Sequence, residues 1–354
     1  MLSTPARHQL FRAGFAAVSA LSADRWLAPV ARGRGVILTF HHVHPDEPRG
    51  YAPNALLTIT PAFLERTLLT LKARGFDLIG LDAVPARLGG PPRERPFAVL
   101  TFDDGYRDNV EHAAPVLARH GAPWTLFVTG TFADGTGRLW WIELERAVAR
   151  LDRVRLSLEG QTAIDLTARD ADEKMTAFET VYRLLRSGPE PRLLDRIATL
   201  CAQAGFVPGR VANGLCLSWS ELRSLAAERD VTIGAHTLTH PMLAKHDAAF
   251  AEREIAESRA RIAAELGCAV RHLSYPVGDP GSAGPREFAI AERLGFTSAV
   301  TTRPGHLFAD HAGHLHALPR VSVNGLHQTD TALASLLSGV PFLAWNRGRR
   351  LVVG

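Results

Sequence analysis

The sequence predicts an α/β fold, a distorted (β/α)7-type barrel carrying a helical insertion. Three observations lead there. Short runs of apolar and β-branched residues recur along the 354 residues, each closed by polar residues or glycine. Helical patterns separate these runs, which argues for parallel strands joined by crossover helices. The runs are nearly continuous in apolar character, as strands covered on both faces are.

Residues 1–34 read as an N-terminal helical extension. Arg12 interrupts the apolar stretch, and Gly14–Ala23 is too short and weakly hydrophobic for an export signal. No run reaches the ~20 apolar residues of a membrane span. The stretch reads as an amphipathic helix that packs on the body of the protein or rests on a membrane surface. A cytoplasmic location is expected, with peripheral membrane contact as the variant.

The strand-like runs are Gly35–Val43, Phe97–Gly105, Pro123–Gly130, Asp230–Thr237, Arg271–Gly278, Phe296–Thr302 and Ala317–Val323. Gly75–Leu81 is a candidate eighth. Between the first two lies a helix with Thr60 as N-cap, Pro61 at its first position and Gly75 as its stop. Helices are also read from Trp219 and across the stretch ending at Gly267. The Pro/Gly/Arg stretch Arg87–Pro96 punctuates. From about residue 138 to 211 the rhythm breaks into a mostly helical insertion with one polar strand-like piece. Trp140 and Trp141 there read as packing residues before a sugar platform. The barrel should occupy 35–325, and 326–354 a C-terminal helical tail.

Composition is ordinary for a globular chain, 46% hydrophobic and 21% charged. Lys+Arg 40 against Asp+Glu 36 gives +4, without a basic cluster, so no nucleic-acid partner is expected. Lysine occurs only at Lys72, Lys174 and Lys245. Cys201, Cys216 and Cys268 lack a C-x-x-C spacing and read as buried or free thiols.

The chemistry collects at the ends of the strands, where parallel α/β folds place their sites. His41 and His42 end the first run and Asp103 and Asp104 the second. His236 ends a later one, with His240 four residues on. Two adjacent carboxylates repel unless a positive charge intervenes. A carboxylate and two imidazoles suit a catalytic zinc with one open position. One aspartate would then bind the cation and the other stay beside it as a base.

"TFDDG" at Thr101–Gly105 and "HTLTH" at His236–His240 resemble the first two signature motifs of the NodB-type polysaccharide deacetylases, carbohydrate esterase family 4. "LSYPVG" at Leu273–Gly278 resembles their third, and Glu292–Thr302 the segment after it. The likeness runs from about Val36 to Gly325, apart from the insertion. It implies Asp104, His236 and His240 as ligands of a divalent metal, zinc first, with cobalt, nickel or manganese as alternatives. It implies Asp103 as general base and an oxyanion held by the metal and a backbone N–H near Tyr275–Val277. Tyr275 reads equally as a core residue or a pocket wall, and Tyr275 and Pro276 are the candidate substrate-binding residues. The family's late Leu-x-His acid has only an echo here, at His314 and His316. "ILTFHHV" resembles a strand of the poly-N-acetylglucosamine deacetylase branch, which points to His41 as the acid, with His42 facing away. The arginine that often holds the catalytic aspartate is missing from the third motif. Arg320 is the substitute and Arg107 the lesser option. His272, His306, His311 and His327 read as solvated or structural.

The resemblance implies hydrolysis of the N-acetyl amide of N-acetylhexosamine units in a chitooligosaccharide, an exopolysaccharide or a lipid-linked glycan. The competing readings are a metal-dependent hydrolase of a non-sugar, even cyclic, amide and an inactive glycan-binding protein. Adjacent aspartates cannot flank a glycosidic bond at the ~5–9.5 Å that glycosidases use. The oligomeric state is left open.

Overall fold

The computed structural model describes residues 4–91, 95–157 and 163–353. Residues 92–94 of the Arg87–Pro96 stretch, and the ends of the two predicted terminal segments, lie outside the described residues.

Seven parallel strands close into a barrel: β1 (Gly35–Phe40), β2 (Phe97–Phe102), β3 (Trp124–Val128), β4 (Val231–Ala235), β5 (His272–Ser274), β6 (Ser298–Pro304) and β7 (Leu318–Ser322). Their order around the ring is β1-β7-β6-β5-β4-β3-β2, closed by β2 on β1. That closing pair is in register along its whole length, from Gly35 opposite Phe97 to Phe40 opposite Phe102. The eighth run yields only Asp77–Leu78, which pairs with Phe97 and Ala98. Since β1 fills one edge of β2, this short strand shares the other edge with β3, which takes over at Leu100. It is an accessory to the ring.

Every residue of β1 and β2 is buried, as the unbroken apolar runs require. Successive side chains point to opposite faces. Val36, Leu38 and Phe40 join the core beneath the helices. Ile37, Val99, Phe127, Val300 and Leu318 fill the barrel interior. Above that apolar layer the interior turns polar, with Thr39, Thr101 and Arg320 all buried.

The helices follow the predicted signals. The first, α1 (Thr4–Ala20), belongs to the extension and packs on the body. The rings of His8, Phe11 and Phe15 surround His327 at centroid distances of 5.3, 6.3 and 5.5 Å. After β1 comes α2 (Pro61–Ala73), capped by Thr60 Oγ1, which accepts from Phe63 N. The insertion holds α3 (Trp140–Arg150), α4 (Ala171–Ser187) and α5 (Glu190–Gln203). They bury a second core, including Leu144, Val181, Leu193, Ile197 and Leu200. The predicted strand-like piece is an antiparallel pair, Arg153–Leu156 with Ile164–Thr167. Next come α6 (Trp219–Ala226), α7 (Ala248–Leu266), α8 (Pro285–Arg293), α9 (Asp330–Ser338) and α10 (Val340–Trp345). The last helix of the barrel's second half that was read from sequence, α7, ends on Gly267 in the left-handed region. Among the described residues no helix is long and apolar enough to cross a membrane. The three cysteines are free.

Candidate active site

The register of β1 and β2 sets His41 beside Asp103, and Asp103 N donates to Phe40 O at 3.1 Å. From β7, on the other side of β1, Arg320 reaches Asp103 and grips it with two parallel bonds. Its Nη1 donates to Oδ1 at 2.8 Å and its Nη2 to Oδ2 at 2.7 Å. Both residues are only 2% exposed. Arg320 is itself fixed by Thr301 O at 2.9 Å, Ser274 Oγ at 3.0 Å and Thr101 Oγ1 at 3.1 Å. Burial pushes the Asp103 carboxyl up, but Arg320, His236 and His41 outweigh it and hold the group below its usual range. Arg107 is engaged elsewhere, with Glu221 and the Cys216 carbonyl.

Asp104 turns the other way. Its backbone takes φ 73°, which swings its carboxylate toward β4. Oδ1 lies 3.4 Å from His236 Nε2 and 3.4 Å from His240 Nε2, buried and without a hydrogen-bond partner. The three ligand atoms lie within 4.8 Å of one another. At 3.4 Å these contacts are long for hydrogen bonds. Two ligands about 2.0–2.2 Å from a tetrahedral ion stand roughly 3.3–3.5 Å apart, so the set fits a zinc-like cation. His236 Nδ1 donates to Ser274 O at 2.7 Å, which leaves the Nε2 lone pair facing Asp104. Burial disfavours the Asp104 anion, but the two imidazoles reverse that and hold it well below the usual carboxylate range.

His240 is walled by Phe132, just before the insertion, and by Trp141 within it. Its ring stacks on Phe132 at 5.5 Å and lies 4.9 Å from Trp141. Trp140 and Trp141 are 4% and 7% exposed and meet edge to face, so they pack and do not offer a sugar platform. Glu190, the first residue of α5, accepts from Met242 N at 2.9 Å and bonds His246 Nε2 at 2.7 Å.

Backbone strain gathers here. Asp104, Thr237, His240 and Val277 all have positive φ, 73°, 62°, 64° and 61°. For β-branched Thr237 and Val277 this is a disfavoured region that surrounding contacts must impose. The clamp on the histidine turn is Glu254 of α7. It accepts from Leu238 N, Thr239 N and Thr239 Oγ1 at 3.0, 2.8 and 2.7 Å. Sequence reading missed Glu254 and Glu190. The available signal was a carboxylate on the buried face of an amphipathic helix, as Glu254 is beside Ile255 and Ser258.

Tyr275 takes the core reading and not the pocket-wall one: it is fully buried beside Phe288 in the core beneath the helices, and its hydroxyl donates to His316 O at 2.9 Å. Pro276 is buried too. Val277 is the half-exposed residue of that turn. The glycine after it is required, since its φ is 65° and a Cβ would stand 2.8 Å from Thr302 N.

His41 is partly exposed, and its carbonyl accepts from Asn109 Nδ2 at 2.6 Å. Burial pushes its imidazole down, Asp104 and Asp103 pull it up, and the net pKa lies below the ordinary value. His42 turns away, bonding Asp108 at 2.6 Å and stacking on Tyr106. His316 bonds Phe296 O, at the start of β6, which places it at the opposite end of the barrel. His272, His306, His311 and His327 are all buried, so the solvated alternative for them fails.

The polysaccharide deacetylase family profile matches residues 90–299, more than half of the chain. Solved structures share the fold. The deacetylase PplD of Streptococcus pyogenes, in complex with acetate, aligns with a TM-score of 0.52 and 19% identity over 82% of this chain and 92% of its own. IcaB of Ammonifex degensii gives 0.52 and 18% over 87% and 98%. The polysaccharide deacetylase BC0361 of Bacillus cereus gives 0.51 and 18% over 86% and 68%. No curated protein matches the chain. With its seven-stranded barrel, the chain belongs to the polysaccharide deacetylase family, hydrolases of carbon–nitrogen bonds other than peptide bonds.

Proposed function

We propose that this protein is a metal-dependent de-N-acetylase of N-acetylhexosamine units in a glycan. One observation carries the reading: the unpartnered Asp104 Oδ1 stands equally far from two imidazoles, directly beside an aspartate that an arginine holds ionised. Asp104, His236 and His240 are the residues to hold a divalent ion, zinc first. Such an ion supplies Lewis acidity to the amide carbonyl and to water.

The chain's own residues do the rest. Arg320 keeps Asp103 anionic and fixed, and each carboxylate oxygen retains a lone pair for the proton of the attacking water. Tyr275 N is taken by Val300 O and Pro276 has no N–H, so Val277 N is the donor left in that turn for the developing oxyanion. His41 faces the same site from the other side. Partly exposed, it can take up a proton from solvent before the carbon–nitrogen bond breaks. It then passes that proton to the leaving nitrogen.

Membership of the polysaccharide deacetylase family supports an N-acetylated polysaccharide or oligosaccharide as the substrate class. The test is acetate release from N-acetylglucosamine oligomers and from a cyclic amide, with added zinc or cobalt and then chelator. Metal-dependent release from the oligomers supports the reading. Release only from the cyclic amide replaces the substrate, and glycan binding without release in metal-loaded protein replaces the activity.

A further inference from the structure

The helical layer formed by residues 8–34 and 331–353 has an unusual surface. Of seven large apolar side chains exposed among the described residues, five lie in it: Leu10, Leu21, Trp26, Val30 and Trp345, each 50–70% exposed. Arg12, Arg25, Arg347, Arg349 and Arg350 are exposed in the same stretches. The carboxylates of this layer's helices are Asp24, which is buried, and, at the first position of α9, Asp330, which is exposed and paired with Arg66 at 3.3 Å. Isolated exposed apolar residues need no explanation, but a concentration of them in an acid-poor, arginine-bearing layer does.

A cleft of about 290 Å³ opens between this layer and the barrel floor. Arg25, Arg32 and Arg74 line it with Asp24, Phe76 and Leu337. Asp24 is used by Arg74, at 2.9 Å. Among the described residues no carboxylate pairs with Arg25 or Arg32. The Arg32 guanidinium lies 5.4 Å over the Phe76 ring. Three guanidinium groups thus face one carboxylate, and both burial and Arg74 disfavour the Arg32 charge. An oxyanion in the cleft would relieve this, and guanidinium forks match phosphate geometry.

Beside the cleft stand Leu21, Trp26 and Val30. Leu27 is helical between the short helices Ala23–Trp26 and Ala28–Ala31, so Trp26 and Val30 lie four residues apart on one face. Trp26 Nε1 donates to Leu21 O at 3.0 Å, which ties those two together. Tryptophan favours the boundary between water and hydrocarbon. The cleft lies by the N-terminal ends of β1 and β2, since Arg32 precedes β1 and Phe76 precedes the Asp77–Leu78 strand paired with the start of β2. The catalytic end is at the other end of the barrel.

We propose that this cleft binds the phosphate of an anionic phospholipid headgroup, with Leu21, Trp26 and Val30 seated in the interfacial region of the bilayer beside it. The proposal does not depend on the deacetylase reading. It is tested by co-sedimentation of the full chain with vesicles of phosphatidylcholine alone and of phosphatidylcholine with phosphatidylglycerol. A calorimetric titration with inorganic phosphate runs in parallel. The expected result is partition onto the phosphatidylglycerol vesicles only, weakened about tenfold or more in the Arg25→Gln/Arg32→Gln double variant and in Trp26→Ala. Arg32→Lys should recover part of it, and acetate release from a soluble oligosaccharide should be unchanged in all three. Equal partition onto neutral vesicles overturns the proposal. So does wild-type partition in the glutamine and alanine variants, or phosphate binding without vesicle binding, which would make the cleft a site for a free anion.

Discussion

Arg320 and Asp103 come from strands on different sides of the closing seam of the barrel and meet through two hydrogen bonds of 2.8 and 2.7 Å, both side chains almost wholly out of water. This pairing separates two carboxylates that are neighbours in sequence. Asp103 is neutralised by a guanidinium from β7, while Asp104, turned by its positive φ, faces two imidazoles. The like-charge repulsion of an Asp-Asp step is thus relieved on both sides by different partners.

Arg320→Lys should leave metal binding intact and lower turnover by about 10²–10³. A lysine cannot reproduce the fork, and weakening one partner of a buried pair is strongly destabilising, by up to about 3–5 kcal/mol on full removal. Metal content by elemental analysis, with steady-state rates on the same preparation, checks it. Loss of metal in this variant would place Arg320 in the metal site instead.

Glu254→Gln should weaken metal binding by about 10–100-fold while the barrel stays folded. The carboxylate holds two amides and a hydroxyl of the turn between His236 and His240, and outer partners of that kind tune ligand placement. Chelator competition gives the affinity and circular dichroism the fold. An unchanged affinity would mean that Thr237 and His240 hold their strained backbone unaided.

His41→Ala should keep the metal and reduce turnover by about 10²–10⁴, the usual contribution of a positioned acid. A substrate with a better leaving amine should recover most of the loss. If metal is lost instead, His41 is a ligand.

Acid sensitivity should come partly from His311. Its Nδ1 accepts from Phe308 N at 3.0 Å, so the ring is neutral, and burial pushes its pKa down to about 4. The unfolded chain takes up that proton near pH 6.5, the folded one only near 4. The unfolded state therefore binds more protons in this window, and stability falls as pH drops through it, by on the order of a few kcal/mol. Thermal midpoints between pH 7 and 4 should decline less steeply in His311→Asn. An equal slope in the variant would assign the effect to other groups.

The strands were legible because each is a short buried run closed by polar residues, and their order along the chain is what the barrel uses. Asp103, Asp104 and His236 could be picked out as candidates because each ends such a run, and His240 because it follows His236 by four residues. The register of the closing pair was not, since β1 and β2 are far apart in the chain and no local pattern states that Gly35 lies opposite Phe97. Tyr275 stayed open between core and pocket wall for a related reason, since the acceptor for its hydroxyl, the His316 carbonyl, is 41 residues away. Arg320 could be named only as an option, because its partner is 217 residues distant. The packing of Phe132 and the insertion's Trp141 against His240, and of Glu190 against Met242 and His246, is likewise a matter of tertiary structure, which periodicity does not encode.

The most direct test of the account compares Asp103→Asn with Asp104→Asn, measuring bound metal per chain and acetate release in the same samples. The account predicts that Asp103→Asn binds metal like the wild type and loses nearly all turnover, whereas Asp104→Asn loses the metal and turnover with it. Retained turnover in Asp103→Asn, or full metal occupancy in Asp104→Asn, would contradict it.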